Sequence, residues 1–107
     1  MTRQYRQGDV LLCAIDEIPL RAMPEPSTDD RVVLAWGELT GHAHVFPAHE
    51  ARLFRDEASG RAFVAIAEGG AALVHEEHTL IRVPEGQYEL RRQREYTPHR
   101  RPRYVAD

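Results

Sequence analysis

Residues 51–68, ARLFRDEASGRAFVAIAE, hold two apolar runs separated by EASG. ARLFRD (51–56) and RAFVAIAE (61–68) contain β-branched and aromatic residues but lack the three-and-four spacing of an amphipathic helix. Gly60 can take the positive φ that a short hairpin loop with a bulge requires. The stretch therefore predicts a β-hairpin.

The pattern extends in both directions. GDVLLCAIDEI (8–18) and RVVLAWGEL (31–39) predict buried strands, and PLRAMPEPSTDD (19–30), rich in proline, acid and hydroxyl groups, predicts an exposed loop between them. AALVHE (71–76) and TLIRV (79–83) predict two more strands. Pro84-Glu85-Gly86 then turns the chain into QYELRRQREY (87–96), where Tyr88, Leu90, Arg92, Arg94 and Tyr96 share one face by the period of two. No repeat and no helical period intervenes. The expectation is one all-β domain over residues 1–107, a small β-barrel or jelly roll. Its core is expected to draw on Val10, Leu12, Val33, Leu34, Trp36, Phe54, Phe63, Val64, Ile66, Leu73, Ile81, Val83 and Leu90.

Bulk composition narrows the function classes. At 107 residues, 42% hydrophobic and 29% charged, the chain suits a single globular core. No run approaches the ~18 apolar residues of a membrane span, and MTRQYRQGD lacks a secretory apolar stretch, so a cytoplasmic protein with no membrane partner is expected. Cys13 lies in VLLCAI and is expected to be a buried core residue rather than a reactive thiol. Exposed strand edges offer a route to a homodimer. No serine elbow, phosphate-cradling glycine loop or Cys-His pair is present, which disfavours those chemistries.

Four of the six histidines fall in two short peptides, T-G-H-A-H (40–44) and H-E-E-H (75–78). If residues 42–46 are extended, His42 and His44 point to one face, close enough to share an ion. In the second peptide, extension would put His78 on the face of Glu76, whereas a turn would bring His75 and His78 together. Imidazoles from both peptides, completed by Glu50 or Glu76, would form a nitrogen-and-oxygen site for zinc, iron, manganese or nickel. An incomplete protein shell leaves a position for water or a small-molecule ligand. If such a site were catalytic, Glu76 or Glu77 would be the general base.

Gly37, His42-Ala43-His44, Glu50 and the later Pro84-Glu85-Gly86 turn resemble the cupin pattern over about residues 37–90. The resemblance implies a jelly roll with a metal inside it, His42 and His44 as ligands, Glu50 and Glu89 as further ligands, and Pro84 and Gly86 as the structural turn. Cupins include dioxygenases, isomerases and binding proteins, so no single activity follows.

Charge is unevenly distributed. Residues 1–90 hold 8 arginines against 15 acidic residues, a net of −7, and residues 91–107 hold 6 arginines against 2 acids, a net of +4. A basic tail interleaved with tyrosines suits phosphate contact and base stacking. Arg92, Arg94, Tyr96, Arg100, Arg101 and Arg103 are the residues that would contact nucleic acid. In the competing expectation the same arginines pair with the protein's own carboxylates or guard a sheet edge.

Overall fold

The computed structural model describes residues 3–36 and 42–92. Ten strands run in chain order: β1 (Gln4–Gln7), β2 (Val10–Ile15), β3 (Met23–Pro24), β4 (Arg31–Trp36), β5 (Ala43–Pro47), β6 (Ala51–Arg55), β7 (Ala62–Ile66), β8 (Ala71–Leu73), β9 (Ile81–Val83) and β10 (Gly86–Arg92). The fold is all-β, with no helix among the described residues and hence none long and apolar enough to cross a membrane.

Six strands form one antiparallel sheet in the order β1-β2-β10-β7-β6-β3. Opposite it lie two antiparallel ribbons, β4–β5 and β8–β9. The ribbons are joined where Val45 and Val74 exchange two backbone hydrogen bonds of 2.9 Å. Val10, Leu12, Leu53, Val64, Ile66 and Tyr88 from the six-stranded sheet pack with Val32, Leu34, Phe46, Leu73 and Val83 from the ribbons in one apolar core. Burying this surface is the main force holding the layers together. The ladders do not close into a barrel among the described residues.

The β6–β7 hairpin forms as its sequence predicts, with Gly60 at φ 76°. Other expectations need correction. The segment beginning at Gly8 is not strand from its first residue, because Gln7 pairs with Val10 and Gly8-Asp9 is a two-residue hairpin turn joining β1 to β2. Gly8, at φ 57°, occupies the first central position, where a turn of this hand favours glycine. The loop 19–30 contains the short edge strand β3, where Pro24 is tolerated because an edge need not donate every N–H.

Trp36 is not in the core but 55% exposed. A bulge lies between Val33 and Ala35, so Leu34 is passed over in the register. Ala35 then pairs with His44 on the inner face and Trp36 with Ala43 on the outer one. Phe63 is buried as expected, whereas Val33 and Phe54 are only partly so.

Candidate metal centre

The site lies at one end of the core, where β5, the turn after β8 and the β1–β2 turn meet. His44 follows from the strand period: Phe46 and His44 both point inward from β5, and both are fully buried. The chain leaves β8 at Val74 and bends through residues 76–78. That turn, not an extension of the strand, brings the His75 and His78 rings to 4.5 Å between centroids. His44 lies 4.4 Å from His75 and 5.7 Å from His78 by the same measure. One nitrogen from each of the three rings falls within 4.8 Å of the others, as does a second group of His42, His75 and Glu76.

Gln7 presets His44. Its side-chain amide nitrogen donates to the carbonyls of Leu73 (2.8 Å) and Thr79 (3.1 Å), the residues that flank the histidine turn. Two carbonyl acceptors fix which end of the amide is nitrogen, so its oxygen faces His44 Nδ1 at 2.9 Å and must accept a proton from it. With Nδ1 protonated, the lone pair of a neutral His44 ring is on Nε2, the atom 3.4 Å from Asp9 Oδ1. His75 is set differently: its Nδ1 accepts the Glu77 N–H at 2.9 Å. Coordination through His75 therefore requires Glu77 to release that lone pair or the ring proton to leave Nε2.

The β1–β2 turn closes the cluster. A Cβ on Gly8 would sit 2.5 Å from His78 Nε2, so only glycine lets the turn approach so closely. Asp9 is 4% exposed. Its Oδ2 accepts from Arg92 Nε (3.0 Å) and Nη2 (2.5 Å), and its Oδ1 lies 3.4 Å from His44 Nε2.

Of the residues expected from sequence, His44, His75 and His78 come together, with His42 beside them: its ring is 5.8 Å from that of His75. His42 Nδ1 also faces Glu77 Oε1 at 2.5 Å. Glu50 does not join the cluster. Its Oε1 accepts the Ala72 N–H at 3.0 Å and its Oε2 lies 3.5 Å from His49. Glu89, implied by the cupin resemblance, is likewise placed elsewhere and accepts from Arg61 and Arg91. Glu76 Oε2 accepts the Ala43 N–H at 3.1 Å. Its own backbone N–H, then Ala43 and the nearby His42 and His75, hold its carboxyl below the usual range against the opposing effect of burial. Arg92 points at Asp9, and Arg94, Tyr96, Arg100, Arg101 and Arg103 lie outside the described residues.

Sequence reasoning missed Gln7, Gly8 and Asp9. The available signal was Gly-Asp between two strand-like runs, a two-residue hairpin signature. Neither the curated proteins nor the solved structures compared with the chain match it. A family model matches residues 6–93, a span that contains every side chain of the cluster from Gln7 to Arg92, and by that match the chain belongs to DUF8820, a domain of unknown function.

Proposed function

We propose that this protein binds a divalent transition-metal ion through His44, His75 and His78. The observation that carries the reading is three imidazole nitrogens within 4.8 Å, delivered by two separate segments. Three imidazoles gathered this closely match the nitrogen donor sets that bind such ions. Gln7 supports the reading because it fixes the His44 tautomer as the outer partners of metal-ligating histidines do. A nitrogen-rich donor set suits zinc, iron or nickel, with manganese next, rather than magnesium or calcium. Two layers of antiparallel strands around one core, with His44 of a His-x-His pair buried at its end, also suit a jelly-roll reading related to cupins, though with a different ligand set.

The nucleic-acid reading is the weaker one. Arg91 and Arg92 each engage a carboxylate of the domain, which fits the expectation that the basic end of the chain pairs with its own acidic body.

The test is metal analysis of untagged protein and thermal denaturation with and without zinc, repeated on His44→Ala and His78→Ala. Stoichiometric metal is expected in the wild type, with about 2.7 kcal/mol of added stability at free zinc 100-fold above the dissociation constant. Both responses should vanish in the variants. Wild-type protein that takes up no metal and gains no stability would overturn the proposal.

A further inference from the structure

We infer that Asp9 is a fourth ligand beside the three histidines, binding the ion through Oδ1 while Arg92 holds Oδ2. The inference rests on the metal reading above and specifies what completes it. Asp9 carries it because its two oxygens are treated unequally. Oδ2 takes two donors from one guanidinium, but Oδ1 is buried and accepts no hydrogen bond among the described residues. Leaving a buried carboxylate oxygen without a donor is costly, and that cost calls for a partner.

The distance from Oδ1 to His44 Nε2 identifies the partner. At 3.4 Å it exceeds the ~2.7–3.2 Å of an N–H···O bond. Ligand atoms held ~2.0–2.2 Å from a tetrahedral zinc ion lie about 3.4 Å from one another. The pair thus has the spacing of two atoms that share an ion.

Donor chemistry points the same way, because a carboxylate oxygen is an accepted ligand for zinc beside imidazoles. Oδ1 is the buried anionic atom already facing His44. The backbone reinforces the placement, because the turn that carries Asp9 is pressed onto His78 through Gly8. Neighbouring residues of one turn thereby meet two of the ligands. An ion bound in this way joins the β1–β2 turn, β5 and the 75–78 turn, and through Arg92 the end of β10.

Cobalt(II) substitution of the full chain tests the inference, since four-coordinate cobalt absorbs visible light far more strongly than six-coordinate cobalt. The wild type should show the intense four-coordinate spectrum. Zinc binding should shift a carboxylate infrared band that is absent from Asp9→Asn, and that variant should bind zinc at least ~100-fold more weakly. A weak six-coordinate spectrum in the wild type would overturn the inference even if Asp9→Asn failed to fold. An Asp9→Asn protein with unchanged zinc affinity and spectrum, alongside a His44→Ala protein that loses zinc, overturns Asp9 as a ligand and leaves the histidine site standing. A wild type that binds neither ion overturns both.

Discussion

The Gly8-Asp9 turn and the Asp56–Gly60 turn each bury an aspartate close to a glycine of positive φ, yet they dispose of its carboxylate differently. At Asp56 the loop supplies most of the donors. Oδ1 accepts the Ala58 N–H at 3.1 Å, and Oδ2 accepts the Ser59 hydroxyl at 2.9 Å and Arg21 Nε at 2.7 Å. At Asp9 one oxygen faces Arg92 and the other faces an imidazole. The glycines differ in the same sense: a Cβ on Gly60 would meet nothing within 4 Å, whereas one on Gly8 would strike His78. One carboxylate has a donor on each oxygen, mostly from its own loop, and the other has donors on one oxygen only. A buried carboxylate satisfied mostly by its own loop braces that loop, whereas the open oxygen of Asp9 is what the metal proposal builds on.

The largest effect on metal binding among the turn variants should come from Gly8. Gly60→Ala is expected to cost about 1–2 kcal/mol for the left-handed conformation while leaving zinc affinity intact. Gly8→Ala carries the same strain and also displaces His78, so zinc affinity should fall by ~100-fold or more. Titration calorimetry and thermal denaturation of both variants measure this, and equal zinc affinities would break the contrast between the turns.

An intermediate effect is expected for Gln7→Leu. The change removes the donors to Leu73 and Thr79 and the acceptor for His44 Nδ1. Each unmet buried group costs about 1–3 kcal/mol, and zinc affinity should drop ~10–100-fold through the loosened His44 ring. If Gln7→Leu loses stability but binds zinc as before, Gln7 is only a brace for the histidine turn.

The smallest effect on the metal belongs to Asp56→Asn, which should leave zinc affinity unchanged and alter only acid stability. The Ser59 hydroxyl foremost, reinforced by the Ala58 N–H and Arg21 and opposed by burial, holds the Asp56 carboxyl below its usual range. A carboxyl depressed in the folded state stabilises the protein above its unfolded value and loses that contribution as pH falls through the folded one. Wild-type stability should therefore fall below about pH 4, and Asp56→Asn should flatten that part of the profile. Acid titration followed by circular dichroism compares the two.

Much of the fold was legible locally. The β6–β7 hairpin, the buried strand around Leu12 and the last strand through Tyr88 follow from apolar runs between turn residues, because strand period and turn chemistry are properties of neighbours in sequence. Trp36 was misplaced because a bulge at Leu34 reverses the facing of later residues, and no neighbour of Trp36 announces it. The turn Gly8-Asp9 was readable but was absorbed into the apolar run that follows it.

By itself the sequence determined an all-β chain carrying two histidine-rich peptides, since alternation and residue type are enough to show that. It could not choose between an extended and a turned 75–78 segment, nor between Glu50 and Glu76 as the carboxylate beside the rings. The tertiary structure decided both. Gln7 binds Leu73 and Thr79 from 66 and 72 residues away, and Arg92 reaches Asp9 across 83. Contacts at such separation depend on which strands pair and in what register, and every such choice competes with alternatives of similar local propensity until the whole core is packed.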